Sequence, residues 1–399
     1  MKNDFGFLLR PDITFLNFGS FGACPQIIFD TYQQWQRKLE EEPVQHIAFR
    51  GPKLLSEARA ALGDFIGADA EDVVFTHNPT HALNIVIKNL DFLPGDEILT
   101  TDLEYGAMDR TWDYYSQQRG WKYCRQHIPL PIQDAERFER AFWAGLTPKT
   151  RAIFLSHITS STALILPVEK ICARAKELGL LTIIDGAHAP AHVSLNLQEL
   201  DPDFYAGACH KWMMAPKGSS FLYAKRALQP KLDPLIVSWG YQSAQPSGST
   251  FIDYHEFIGT DDFSAYLTVP TAIEFMKQHD WLNVRQQCRA LTQKAIEPFS
   301  ELLETSPLAP VGETFFGQMC SLPICTDKPI ELKRLLYDEF RIEIPVMVHE
   351  GQTYIRFSMQ VFNTWDDIEI LLDAMNVLRD RGYWSPAPNT SDKRSPGFR

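Results

Sequence analysis

The sequence predicts an α/β protein, with a mainly parallel central sheet in a large domain and a smaller α+β domain at the C-terminal end. Three observations carry this expectation. Residues 180–188 (LLTIIDGAH) contain a near-continuous apolar run that stops at Asp185, as in a parallel strand covered on both faces. A second apolar run, in residues 203–218 (DFYAGACHKWMMAPKG), stops at His210-Lys211-Trp212. Beyond about Asp262 the pattern becomes helices alternating with short strands. The divisions expected are an N-terminal segment (1–25), a large domain (26–258), a small domain (259–383) and a disordered tail (384–399), the last rich in Pro, Ser, Asn and charge.

Taken in order, residues 16–25 (LNFGSFGACP) form an irregular Gly-rich segment closed by Pro25, which is placed to start a helix. Ile28, Tyr32, Trp35 and Leu39 then recur at helical spacing. On composition alone Asn17, Gly19 and Ser20 read as a turn. A helix over 52–66 puts Leu55, Ala58, Leu62 and Phe65 on one face and ends at Gly67. A strand over 71–76 runs through His77-Asn78-Pro79-Thr80 into a helix over 81–90. Such a junction is either an ordinary N-cap or an anion site, because the first helical N–H groups lack partners and the helix dipole favours negative charge.

A strand over 95–104 leads to Tyr105, which on the residues alone is either an exposed loop tyrosine or a ring lining a site. A strand over 151–156 precedes Thr159-Ser160-Ser161, and a helix over 167–178 returns the chain to the Asp185 strand, completing a βαβ-like unit. The small domain has helices to Gln278 and to about Thr305, then short elements at 318–322, 328–340, 344–348 and 353–359. Within the last of these, Arg356 stands in an apolar strand. A buried guanidinium needs an anionic partner, either a structural carboxylate or one on a substrate.

The chain has 399 residues, 45% of them apolar, enough for a substantial core, and a net charge of -12 that argues against nucleic acid or an anionic membrane as a partner. No stretch approaches the roughly 18 apolar residues of a spanning helix, and no apolar leader is evident, so a cytoplasmic protein is expected. Its seven cysteines are odd in number and scattered, which suits reduced thiols. Cys320 and Cys325 flank a strand-like apolar stretch and read as buried and inert. His188 and His192 have the spacing of two zinc ligands on a helix. Pro190 between them, no Glu in the second position and no third ligand count against a metal, and none is expected.

The chemistry rests on Lys211 and Asp185. A lysine at the end of a buried strand is expensive unless its pKa falls or it is covalently neutralised, which makes Lys211 a Schiff-base candidate. Carboxylates at strand C-termini lie where open α/β sheets place ligands. The pair suits pyridoxal 5'-phosphate (PLP), Lys holding the aldehyde carbon and Asp keeping the pyridine nitrogen protonated.

Asp-Gly-Ala-His at 185–188 and Cys-His-Lys-Trp at 209–212 resemble the two cofactor motifs of the class V aminotransferases, which are fold type I PLP enzymes. The chain most resembles the isopenicillin N epimerase-like branch, with support from residues 16–25, 157–168 (HITSSTALILPV), 210–218 and 259–262 (GTDD). The resemblance implies an internal aldimine at Lys211, with Asp185 on the ring nitrogen and His188 on the ring's phenolic oxygen. Tyr105 would stack on the ring, where its phenol could exchange protons, and Ser160 would reach the ring oxygen or the substrate. Asn78, Pro79, Thr80 and His210 would bind the phosphate. Thr260 would reach the phosphate of a neighbouring subunit, which makes a homodimer with shared active sites the expected assembly. Asn17, Gly19, Ser20 and Arg356 would hold an amino-acid-like substrate, Arg356 by its α-carboxylate.

The chain departs from the family pattern at Ser156 (usually Asp), Ser161 (usually Pro), Ala208 (no side-chain donor) and Asp261 (in place of Arg). The implied function is chemistry at the Cα of an amino acid or its derivative, through aldimine and quinonoid intermediates, with an epimerase-like outcome. C–S lysis of cysteine conjugates or sulfoxides is the alternative, followed by transamination. Cysteine desulfuration ranks last because no loop cysteine is evident. A catalytically silent binding module and a zinc hydrolase are the readings from other classes.

Overall fold

The structure is a computed structural model that describes residues 5–386. Its central sheet has seven strands: β1 (Val73–Thr76), β2 (Glu97–Thr101), β3 (Lys122–Gln126), β4 (Thr150–Ser156), β5 (Leu181–Gly186), β6 (Phe204–Ala208) and β7 (Ser220–Ala224). Their spatial order is β1-β7-β6-β5-β4-β2-β3, and all neighbours are parallel except β7, which runs antiparallel to both β1 and β6. The expected mainly parallel sheet is therefore present. β3 and β7 are additions to the sequence reading. β3 is partly exposed along its length and lies at the sheet edge, so it carries no continuous apolar run.

The strands are apolar throughout because both faces are covered. On one face Phe75, Ile153, Leu155, Ile184 and Phe221 pack against the helices Gly51–Ile66 and Val168–Glu177. On the other, Val74, Phe154, Ile183 and Leu222 pack against Pro79–Lys88 and Gly106–Arg119, Trp112 being fully buried there. Alternation along each strand thus separates two cores, as the two-residue period of a strand requires.

Strand register determines which loops meet. Ser156 pairs with Asp185, Asp185 with Ala206, and Ala208 with Ser220, which in turn pairs with Thr76. The segments after β1, β4, β5 and β6 consequently leave the sheet at one edge, carrying Asn78–Thr80, Thr159–Ser161, His188 and Lys211 together.

A second, antiparallel sheet consists of β8 (Met319–Ile324), β9 (Val346–His349) and β10 (Gln352–Ser358), in the order β9-β10-β8. The N-terminal segment is stitched to it. Thr14–Phe15 pairs in parallel with Ile342–Glu343, Phe18 N–H donates to Ser358 Oγ at 2.6 Å, and Ser358 Oγ donates to the Leu16 carbonyl at 3.0 Å. Residues Phe18–Phe21, expected to be irregular, form one helical turn. The helix expected to reach Gln278 is divided into Ser264–Leu267 and Val269–Gln278, with Pro270 in the first turn of the second piece. Cys325 is exposed rather than buried, whereas Cys320 is buried as expected. Trp384 is buried with its indole N–H on the Met375 carbonyl, and Ser385 pairs with Cys325, so the head of the expected tail is anchored. The remainder of that tail, 387–399, lies outside the described residues. No helix among the described residues is long and apolar enough to cross a membrane.

Candidate active site

Lys211 follows β6 by three residues and its Nζ lies 3.2 Å from His188 Nε2. Trp212 Nε1–H donates to His188 Nδ1 at 3.4 Å, so Nε2 carries the proton of the neutral imidazole and faces the amine as a donor. The electrostatics agree with that arrangement. Burial, with Lys211 and Arg356 adding to it, holds His188 well below its ordinary pKa. Burial also lowers Lys211 from 10.5 to about 8, with Asp185 opposing and Arg356 adding. A buried amine of this kind is available as a nucleophile and base nearer neutrality than a surface lysine.

Asp185 is the penultimate residue of β5 and is buried, with Oδ1 accepting the Ala187 N–H at 3.0 Å. No cation ion-pairs with it among the described residues, and burial raises its pKa while Ala187 N–H and Lys211 oppose. Gly186 after it is required by close packing. A Cβ there would stand 2.1 Å from the ring of Tyr205, whose hydroxyl lies 2.9 Å from His157 Nδ1.

Arg356 projects from β10 into the same region. Its Nη1 donates to the Ser160 carbonyl at 2.5 Å and its Nη2 to Ser20 Oγ at 3.3 Å, while Ser20 Oγ is held 2.5 Å from Asn17 Oδ1. Arg356 is buried, its pKa lowered to about 10 by that burial, and no carboxylate pairs with it among the described residues. Thus Asn17, Gly19, Ser20 and Arg356 form one cluster, Gly19 lying so close that a Cβ would be 3.5 Å from Arg356 Nη2. Phe18 packs on Trp212 with ring centroids 5.2 Å apart, which fastens this cluster to the Lys211 loop.

Asn78 caps the helix Pro79–Lys88, its Oδ1 accepting the His81 N–H at 2.8 Å, with Pro79 and Thr80 in the first turn. His210 Nδ1–H donates to the Ser219 carbonyl at 2.9 Å, and Ser220 Oγ lies 3.4 Å from the same nitrogen. Ser220 is the cross-strand partner of Ala208, so a buried hydroxyl stands beside the position that lacks a donor. Thr159 Oγ1 is taken up by Thr162 at 2.6 Å, and Ser160 contributes its carbonyl to Arg356.

Two predicted residues stand apart from this cluster. Tyr105 begins the helix Gly106–Arg119 and is 46% exposed, and no hydrogen bond joins it to Lys211 or Asp185 among the described residues. Thr260 and Asp261 line a cavity of about 300 Å³ with His81, His255 and Trp239, and Asp261 Oδ2 lies 4.0 Å from His77 Nε2. His192 has both nitrogens engaged: Nδ1–H donates to the His188 carbonyl at 3.1 Å and Nε2 accepts the Gln318 N–H at 2.6 Å. Its ring stacks on Trp212 at 3.9 Å, which makes it a structural support.

Sequence reasoning missed Trp212 as the group that orients His188, Ser220 beside His210, and Glu104, a buried carboxylate three residues past β2. Trp212 and Glu104 adjoin predicted residues in sequence, and that adjacency was the only signal for them. Ser220 carried none, because its neighbours are set by strand order.

This donor set fits PLP. A buried carboxylate without a cation suits a protonated ring nitrogen, a buried amine of lowered pKa suits the aldehyde, and an unpaired guanidinium suits a carboxylate. Three ionisable groups buried so close together without mutual ion pairs are costly unless a ligand brings complementary charge.

The relatives agree with this chemistry. The chain is 34% identical over 384 residues to the isopenicillin N epimerase of Amycolatopsis lactamdurans, covering 93% of this chain and 96% of that protein. It is 26% identical to the putative L-cysteine desulfhydrase 1 of Oryza sativa subsp. japonica, covering 95% of this chain and 86% of that protein. In fold it is similar to the cystine C-S lyase C-DES solved with cysteine persulfide, at a TM-score of 0.78 and 23% identity, covering 91% of this chain and 97% of that one. The model of the family described as aminotransferase class-V matches residues 23–371, and the chain belongs to that family as a fold type I, PLP-dependent enzyme.

Proposed function

We propose that the enzyme moves the Cα proton of an amino acid, or of an amino-acid-derived substrate, with inversion of configuration. The observation that carries this reading is Arg356, buried with no carboxylate partner among the described residues and close enough to Lys211 to lower its pKa. A substrate α-carboxylate on the Arg356 fork, steadied by Ser20 and Asn17, brings its Cα toward the Lys211 amine. PLP, when bound, supplies the electron sink that makes this proton acidic. Lys211 takes the proton on its own face. His188 holds the ring's oxygen side through Nε2–H, and Asp185 holds the nitrogen side. Inversion needs a donor on the opposite face, and we assign this to the phenol of Tyr105. The epimerase relative, at 34% identity over nearly the whole chain, supports that outcome over the desulfhydrase relative at 26%.

The second reading, C–S lysis, is favoured by one observation: Tyr105 is half exposed, and among the described residues no hydrogen bond to its hydroxyl holds it as a proton donor. The same Lys211 step followed by loss of a β-sulfur group needs no second proton carrier. We assign the phosphate to Asn78, Pro79, Thr80 and His210, with Ser220 supplying the hydroxyl absent from Ala208. The subunits are assigned to a homodimer in which Thr260 serves the neighbouring site. The exposed Ile236, Val237 and Trp239 beside the Thr260 cavity support this assembly.

The experiment is to incubate the PLP-reconstituted enzyme with L-amino acids, small peptides carrying a free α-amino-carboxylate, and cysteine conjugates in heavy water. Deuterium at Cα with inverted optical rotation is expected. Pyruvate and a released thiol instead would move C–S lysis to first place, and neither Cα exchange nor pyruvate with any class would overturn both.

A further inference from the structure

Glu104 has no part in the chemistry described so far, yet it is fully buried against Ser156 at the end of β4, the strand that pairs with the one carrying Asp185. Its Oε2 accepts both the Ser156 N–H at 2.9 Å and the Ser156 hydroxyl at 2.5 Å, and its Oε1 accepts the Thr101 hydroxyl at 2.6 Å. Ser156 is the residue of β4 that pairs with Asp185, and the following His157 N–H donates to the Asp185 carbonyl at 2.8 Å. One residue therefore separates the Glu104 carboxyl from the backbone of Asp185. On its other side Glu104 adjoins Tyr105 in the chain.

The groups that face it are all acidic. Asp185 on β5, Asp109 on the helix Gly106–Arg119 and Tyr123 on β3 surround it, and no cation pairs with it among the described residues. Burial, with Asp185 and Asp109 adding to it, pushes the Glu104 carboxyl up to about 8, against the Ser156 and Thr101 hydrogen bonds. A buried acid with three donors and no cation has the wrong surroundings for a purely structural anchor, for which an amide would serve without the charge cost. Its surroundings improve when Asp185 meets a positive charge, because the repulsion from Asp185 is then cancelled. The coupling is reciprocal, so a carboxylate at Glu104 favours that same positive charge.

We propose that Glu104 is a positioning residue for the ring-nitrogen side of the PLP site, fastening the Asp185 strand end through Ser156 and, once a positive charge stands before Asp185, placing a second negative charge behind it. This rests on the assignment of Lys211 and Asp185 to the cofactor. The two carboxylates act as a graded pair: Asp185 touches the cofactor, and Glu104 sets how firmly a proton is held in front of Asp185.

The test compares full-length, PLP-reconstituted wild type with Glu104→Gln, Ser156→Ala and the double variant Glu104→Gln/Ser156→Asp, reading the pH titration of the Lys211-dependent visible absorption band and the dissociation constant for PLP. Gln keeps the shape and can accept both Ser156 hydrogen bonds at its oxygen, its nitrogen donating to Thr101 Oγ1 where the carboxylate accepted, so a merely structural role leaves both readouts unchanged. The expected result is a midpoint lowered by about half a unit or more in Glu104→Gln, as loss of a close anionic charge requires. PLP retention should weaken several-fold alongside it. Ser156→Ala, which removes one donor to the carboxylate and so makes it ionise less readily, shifts the midpoint the same way by less. The double variant places a carboxylate within reach of the same spot and returns the midpoint toward wild type. Folded Glu104→Gln and Ser156→Ala proteins that titrate and bind PLP as wild type does overturn the inference alone. A wild type without a Lys211-dependent band overturns the cofactor assignment and the inference that rests on it.

Discussion

At the scale of the residue, the site is a set of buried charges waiting for complementary ones, and its pH behaviour follows from that. Burial brings Lys211 from 10.5 to about 8, so the neutral amine predominates only above that pH. The rate at which apoenzyme captures PLP should rise with pH toward about 8 and then level off, as stopped-flow absorbance would show. Arg356→Gln removes a cation that lowers this pKa, so the profile should move to higher pH. The stability sign is also determined. Between about 8 and 10.5 an unfolded chain keeps the lysine proton that the folded one has lost, so the Lys211 contribution makes the apoenzyme more stable as pH rises through that window. Below about 8 the burial penalty is fully present. Arg356→Lys should leave the Lys211-dependent band in place but raise KM for α-carboxylate substrates roughly 10- to 100-fold, because an ammonium cannot reproduce the bidentate fork. An unchanged KM would remove Arg356 from the carboxylate role.

At the scale of the element, the site depends on how the N-terminal segment is pressed onto the lysine loop. Gly22 has φ of +64°, and a Cβ there would lie 2.3 Å from the His210 carbonyl and 2.8 Å from that of Lys211. Gly22→Ala should therefore destabilise the protein by more than about 1 kcal/mol, through both the backbone conformation and the collision. A lower Tm, together with a KM that rises more than kcat falls, is expected, since Asn17 and Ser20 would shift from Arg356. A variant with wild-type Tm and KM would show that the segment docks independently of the lysine loop. The same element was read from its sequence as an irregular turn. Its one helical turn and its attachment to Ser358 come from a strand far along the chain, which no local pattern announces.

At the scale of the whole molecule, the unexplained surface is apolar. Trp239 is 87% exposed and Val237 70%, next to the cavity of about 300 Å³ that holds Thr260 and His81. Exposed aromatic and branched side chains gathered in this way fit the homodimer interface proposed above. Trp239→Glu should convert the expected dimer to monomer in sedimentation velocity and weaken PLP retention at the same time, because Thr260 would lose the site it serves. A dimer that persists with full retention would place the interface elsewhere. Both cofactor motifs were legible because each ends a strand whose apolar run marks it. The expectation for Thr260 rested on a resemblance alone, and within this chain Thr260 shares its cavity with His81 and not with Lys211.

The sequence by itself determined the strands that lead into Asp185 and Lys211, the helix cap at Asn78 and the placement of Arg356 in an apolar strand. These depend on periodicity and on the cost of charge at buried strand ends, both local properties. Tertiary structure alone decided that Trp212 fixes the His188 tautomer, that Ser220 stands beside the donor missing at Ala208, and that Glu104 meets Ser156 behind Asp185. Each of these arises from the order and register in which strands assemble, and hydrogen bonds formed across a sheet leave no period in the chain that makes them.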